Sequence, residues 1–130
     1  WNPGNATISK LPPCHYTFAF NVLGNKLNCH LTQRSGDIAL GIPFNLACYS
    51  LLTMMLAKEC GYEVGEFSHT IIDAHIYENH IEGLKEQLTR KPLKLPKIKI
   101  ADKPFNELTF DDIKLEDYES YPLIKFEVAV

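Results

Sequence analysis

From Cys14 onward, aromatic and aliphatic residues recur at every second position, with Tyr16, Phe18, Phe20 and Val22 on one side of a run that ends at Val22. A second run, Lys26 to Arg34, places Leu27, Cys29 and Leu31 on one side. A period of two is the signature of a half-buried strand. The intervening LGNK joins the two runs as a hairpin turning at Gly24-Asn25. Counting outward from that turn pairs Leu23 with Lys26, Phe20 with Cys29, His15 with Arg34 and Cys14 with Ser35.

The period changes in PFNLACYSLLTMMLAKECGYE, where Pro43 suits the first turn of a helix and Gly61 its end. Its apolar residues cover almost the whole circumference, which predicts a buried central helix. Alternation returns in FSHTIIDAHIY: His69, Ile71, Asp73, His75 and Tyr77 share one face, and Thr70, Ile72, Ala74 and Ile76 the other. A strand with so many titratable groups on one face is expected to line a wet pocket or a polar surface. Asn79 is expected to cap a short amphipathic helix through HIEGLKEQLTR, which Pro92 and Pro96 end. KLPKIKI then reads as an edge strand, and the tail mixes short strands and turns before an apolar VAV. Trp1 to Pro13 is polar and turn-rich, begins without methionine, and reads as a connector in a piece of something longer. The expected class is α/β (α+β), a twisted mixed β-sheet packed on the central helix.

Composition narrows the function classes. A chain of 130 residues with 45% hydrophobic content can bury one domain's core. Its net charge of -3 and pI near 5.9 offer no basic footprint, so neither DNA nor an acidic membrane is an expected partner. The longest apolar stretch, Leu46 to Ala57, is interrupted by Cys, Tyr, Ser and Thr and is too short to span a bilayer, which leads to the expectation of a cytoplasmic protein. Four sparse cysteines in apolar segments read as reduced thiols. The pairs Cys14-His15 and Cys29-His30 resemble metal ligands, but neighbours on a strand point to opposite faces, and no metal is expected.

The candidate chemistry starts at Cys14, which the hairpin sets beside the polar run QRSGD. A guanidinium favours a thiolate, so Cys14 next to Arg34 fits a nucleophile; an inert core thiol and a papain-like protease cysteine are the alternatives, though the latter belongs at a helix start. Arg34 and Ser35 supply a fork of donors and a hydroxyl suited to a phosphate, or a surface ion pair. Asn45, on an apolar helix, must find partners for its amide. It could offer a donor and an acceptor to a planar base, or cap the helix start.

The ordered series PPCH, QRSGDIALGIPFN, DAHIYENH and a short charged ending in VAV resembles the folate-dependent thymidylate synthase family, over the whole of residues 1–130. The resemblance implies a C-terminal catalytic portion whose N-terminal half, with further phosphate-binding arginines, a catalytic glutamate and pterin-facing tryptophans, lies upstream. It implies reductive methylation of dUMP to dTMP with 5,10-methylenetetrahydrofolate as co-substrate, in a homodimer. Cys14 then matches the nucleophile that adds to uracil C6. Gln33, Arg34 and Ser35 match the nucleotide and phosphate pocket, Asn45 the reader of the uracil edge, and His75 and Tyr77 the ligands of the deoxyribose hydroxyl. Asp37, Gly41, Phe44 and Val130 match folate-facing positions. Two departures stand out: Ile72 where Gly often precedes DAH, and IKFEVAV in place of IKAPVAV. The rival functions are a deoxypyrimidine nucleotide hydroxymethylase, which Asn45 disfavours because cytosine-using relatives carry aspartate there, and a non-catalytic nucleotide-binding or assembly fragment.

Overall fold

The computed structural model describes residues 2–5, 7–8 and 11–128. Two strands, β1 (His15–Leu23) and β2 (Lys26–Asp37), form the expected hairpin. Gly24 takes φ 62 while Asn25 stays at negative φ, which puts the left-handed residue first in the turn, where only glycine sits without strain. A helix, α1 (Gly41–Cys60), then carries the chain to β3 (Glu63–His75), which pairs parallel to β2. The sheet order is β1-β2-β3, so β2 is central, antiparallel to one neighbour and parallel to the other. This is the mixed α/β architecture the periodicity predicts.

The hairpin register agrees with the count from the turn as far as Thr17↔Thr32 and then slips, so that His15 faces Gln33 instead of Arg34. Tyr16 is the extra residue of a bulge on β1. Cys14 consequently lies beside Arg34, whose N–H donates to the Cys14 carbonyl at 2.8 Å, and not opposite Ser35. A second irregularity lies between β2 and β3, where Leu27↔Val64 is followed by Cys29↔Phe67. There the Glu66 N–H, with no ladder partner, is taken up by Asn28 Oδ1 at 2.8 Å.

The core is the face of β2 toward α1: Cys29 and Leu31 pack on Tyr49, with Phe20, Leu52 and Phe67 around them. Gly61 closes α1 at φ 71, its N–H returning to Ala57 and Lys58 carbonyls, as the sequence predicts. The expectation of an all-round buried helix is corrected. Only Ile42, Tyr49, Thr53 and Ala57, one stripe along α1, are buried, and Phe44 on its other side is exposed. Among the described residues the sheet covers one side of the helix, and the segment from Asp102 to Phe105 meets its last turn through Lys58 and Glu59, so much of its apolar surface exceeds what this chain buries.

Beyond β3 the chain enters α2 (Ile81–Thr89) through a 3₁₀ turn at Glu78–His80. Asn79 does not cap it: the cap position is His80, without a side-chain cap bond, and Asn79 Nδ2 donates instead to the Glu127 carbonyl at 3.2 Å. A second sheet pairs β4 (Lys97–Ile100) with β5 (Ile113–Glu116). Their connection is tied by a capping box of Thr109 and Asp112. Lys103 beside Asp112, helped by the Thr109 N–H and hydroxyl, holds that carboxyl down to about 2. No helix of the described residues is long and apolar enough to cross a membrane.

Leu31 is fully buried in the core, whereas Leu23 at the hairpin turn is 76% exposed. In the full protein, Leu31→Ala should cost about 2–5 kcal/mol of stability and Leu23→Ala about 0.5 or less. Chemical denaturation of the two variants measures the difference, and equal costs would place the core elsewhere.

Candidate active site

Parallel strands β2 and β3 finish side by side, with Ser35↔Asp73, Gly36↔Ala74 and Asp37↔His75 in register. The first turn of α1 follows at the same end, because the link from Asp37 to Gly41 is short. The start of antiparallel β1 also arrives there. Four segments thus converge outside the carboxyl ends of parallel strands, where α/β sheets place their ligand sites.

Cys14 is partly exposed and its sulfur is free. Arg34 Nη2 donates to Cys14 Sγ at 3.5 Å and to the Pro12 carbonyl at 2.7 Å, and Nε donates to the Pro13 carbonyl at 3.3 Å. The carbonyls of the PPC stretch therefore aim the guanidinium at the sulfur, and Nη1 is left for another acceptor. A cleft of about 520 Å³ lined by Pro13, His15, Arg34 and Tyr49 opens at this point. Cys29 differs: it is buried, and burial pushes its thiol pKa up, while Cys48 and Cys60 are exposed on or at the end of α1.

Gln33 is the most constrained polar group, 2% exposed on the core-facing row of β2. Its Nε2 donates to the Ser35 carbonyl at 2.8 Å and to Asn45 Oδ1 at 3.0 Å, and its Oε1 lies 2.9 Å from His69 Nε2. An amide oxygen only accepts, so His69 must carry its hydrogen on Nε2. Burial, with a smaller contribution from His30, lowers the His69 pKa and favours that neutral ring. Asn45 is held in turn: its oxygen is engaged and its Nδ2 remains as a donor. It stands one turn inside α1, which removes the helix-capping alternative.

Ser35 Oγ donates to Asp73 Oδ2 at 3.3 Å, and His75 Nδ1 lies 3.4 Å from the same oxygen. Tyr77 meets His75 edge-on at 5.0 Å, but it does so from beyond the strand, since β3 ends at His75. Asp37 Oδ1 accepts from the N–H groups of Ala39 and Leu40, forming the turn that launches α1. Gly41 opens α1 and Phe44, 75% exposed, projects from its first turns without joining the bonded network. Val130 lies outside the described residues.

Three groups here were not singled out from the sequence. His15 Nδ1 lies 2.8 Å from the Tyr49 hydroxyl, on the α1 side of the sheet, because the bulge at Tyr16 shifts its facing. His69 was legible only as one of several polar residues on its face, and its bond to Gln33 depends on the β2–β3 pairing. His80 is fully buried, which nothing in its local pattern signals. Among the described residues no group of three or more His, Cys, Asp or Glu side chains could hold a metal ion.

His69 carries a pH signature. A histidine whose folded pKa is lowered from 6.5 contributes stability above the unfolded value, and that contribution is lost as pH falls through the lowered one. His69→Gln should therefore flatten the decline of stability below pH 6.5, measured by denaturation at pH 7.5 and at successively lower pH. An unchanged slope would show that His69 does not titrate differently in the two states.

Comparison with known proteins follows the same motifs. The family model described as thymidylate synthase matches residues 1–130. The chain is 55% identical over 131 residues to the thymidylate synthase of Mycoplasma pneumoniae, covering 100% of the chain and 46% of that protein. It is 54% identical over 132 residues to the thymidylate synthase of Listeria monocytogenes serotype 4a, covering 42% of that protein. The thymidylate synthase of Haloferax volcanii is 40% identical over 179 residues, with 52% of it covered. The chain spans about half the length of the curated relatives it matches. With the whole of it matched by one family model, and with motifs that the fold gathers at one end of the sheet, the chain belongs to the thymidylate synthase family.

Proposed function

We propose that the protein carrying this chain methylates dUMP to dTMP, with 5,10-methylenetetrahydrofolate as both carbon donor and hydride source. The observation that carries this reading is the Cys14 sulfur, partly exposed and 3.5 Å from a guanidinium that the Pro12 and Pro13 carbonyls aim. A thiolate there adds to uracil C6 and C5 attacks the one-carbon unit; loss of the C5 proton with cleavage of the carbon's bond to folate nitrogen leaves a methylene on C5, and hydride from the released tetrahydrofolate reduces it as the thiolate is expelled, giving dTMP and dihydrofolate. The chain's own groups bind and orient. Arg34 has Nη1 free for phosphate, and Ser35 can add its hydroxyl if it turns from Asp73. Gln33, through the amide of Asn45, fixes which end of that amide faces the base. His75 and Tyr77 offer polar atoms to the sugar hydroxyl, and Asp37, Gly41, Phe44 and Val130 are assigned to folate binding.

This chain forms a C-terminal portion, residues 1–130, of a larger catalytic domain, and the remaining length of the relatives supplies the rest of the pocket. In this reading the enzyme is a cytoplasmic homodimer, with the far face of the sheet at the subunit interface.

In the full protein, Cys14→Ser should abolish the covalent nucleotide adduct, because a hydroxyl of much higher pKa is a far poorer nucleophile. Mass spectrometry of the denatured complex reads this directly, and a persistent adduct would move the nucleophile elsewhere. Asn45→Asp should narrow the preference for dUMP over dCMP by about one to two powers of ten, since an ionised carboxylate only accepts and one buried hydrogen-bond match is lost. Competition kinetics with both nucleotides supply the ratio, and unchanged discrimination would contradict the assigned base contact.

A further inference from the structure

The segment from Tyr121 to Glu127 has no regular secondary structure, yet it is fastened at both ends of α2. Arg90 Nη1 donates to the Pro122 carbonyl at 2.7 Å, and the same guanidinium lies over the Tyr121 ring at 5.4 Å. Further along, the Glu127 carbonyl is shared by His80 Nε2 at 2.7 Å and Asn79 Nδ2 at 3.2 Å. The acceptor is a carbonyl, so Nε2 carries the hydrogen. The His80 ring is fully buried, with Tyr77 edge-on at one side and Phe126 at the other. Its second nitrogen, Nδ1, is buried without a hydrogen-bond partner and faces Asp37 Oδ1 at 3.7 Å.

Phe126 is one of two residues, with Glu127, by which the ending of this chain departs from the IKAPVAV pattern, and its ring lies on Gly83. A Cβ built on Gly83 would stand 2.5 Å from Phe126 Cε1 and 3.1 Å from both Phe126 Cζ and Ile124 Cγ2. Carbon atoms in contact sit near 3.5–4.0 Å, so the ring occupies the space that any other side chain would need. Gly83 lies within α2, where glycine is the poorest residue after proline, and its presence there lacks a helical reason.

We propose that His80 and Gly83 are positioning residues that seat the segment before Val130: Gly83 opens the notch for Phe126, and His80 clamps the Glu127 carbonyl while backing onto Asp37. The seat sets the direction in which the last residues leave the fold. It also joins them to the corner between β2 and α1, where Asp37 already orders the first turn. This rests on the proposed function only for its meaning in catalysis, because the seat itself is a matter of packing and hydrogen bonding.

The test uses the full protein and the rate of trypsin cleavage after Lys125, which is exposed on the strap, followed by mass spectrometry; cleavage after Lys58 in α1 reports on the integrity of the fold. Gly83→Ala should accelerate cleavage after Lys125 by about tenfold or more while leaving Lys58 protected, since a forced overlap raises the population of the undocked strap. Adding Phe126→Ala removes the overlap and should bring the rate back toward that of Phe126→Ala alone. His80→Leu should accelerate cleavage with or without Phe126, having lost the clamp. Equal rates for the parent and Gly83→Ala, or an acceleration by Gly83→Ala that persists undiminished in the Phe126→Ala background, would overturn the seat. So would an unaltered rate in His80→Leu. Since the readout is proteolytic, these outcomes stand apart from whether the protein methylates dUMP.

Discussion

A buried amide must find a partner for each of its polar atoms, and Gln33 is where this chain meets that requirement. Along the inward row of β2 the side chains run Leu27, Cys29, Leu31 and then Gln33, all buried. The first three are satisfied by contact alone. The fourth costs free energy unless its hydrogen bonds are made, and those are found in three different elements: β2 itself, α1 through Asn45 and β3 through His69. The change from apolar to polar on one row is the boundary between core and site. It also explains why the site is rigid, because Asn45 cannot turn without stranding Gln33, and Gln33 cannot turn without stranding His69.

Much of this was legible in the sequence. Period-two alternation located β1, β2 and β3, Pro43 and Gly61 bracketed α1, and Gly24-Asn25 gave a register correct to Thr17. What failed did so for identifiable reasons. The slip at Tyr16 is a bulge, which depends on tertiary packing and leaves no mark in hydrophobic periodicity. The helix was expected to be buried all round because apolar content was read as burial, and only the stripe through Tyr49 and Thr53 has a partner in this chain. Asn79 has the right residue type for a cap, but the Glu127 carbonyl, distant in sequence, competes for its amide. The motifs that carry the candidate site are legible in order along the chain, while the hydrogen bonds between them are not, because parallel pairing of β2 with β3 is a long-range fact.

The position of charge in the site follows from backbone geometry as much as from side chains. Arg34 would swing freely from an exposed strand position, yet the carbonyls of Pro12 and Pro13 hold two of its nitrogens. Proline fixes φ and has no N–H, so these carbonyls sit on a stretch with little freedom and no competing donor of its own. The entropy of orienting a long cationic side chain is thereby met before any ligand arrives.

The bulge at Tyr16 has a further meaning for how this strand could have changed over time. On a regular β1, Cys14 would share the facing of Phe18 and Phe20, and His15 would point the other way. The single extra residue exchanges them, so His15 meets Tyr49 and Cys14 meets Arg34. Deleting Tyr16 would leave His15 opposite Gln33 and Cys14 beside Arg34 in a regular ladder, whereas drawing Tyr16 into the ladder opposite Gln33 would reverse both facings. For this stretch it is therefore the pairing of His15 with Gln33 that is constrained, and the extra residue is the part of the strand that the chain could lose without exchanging the two side chains.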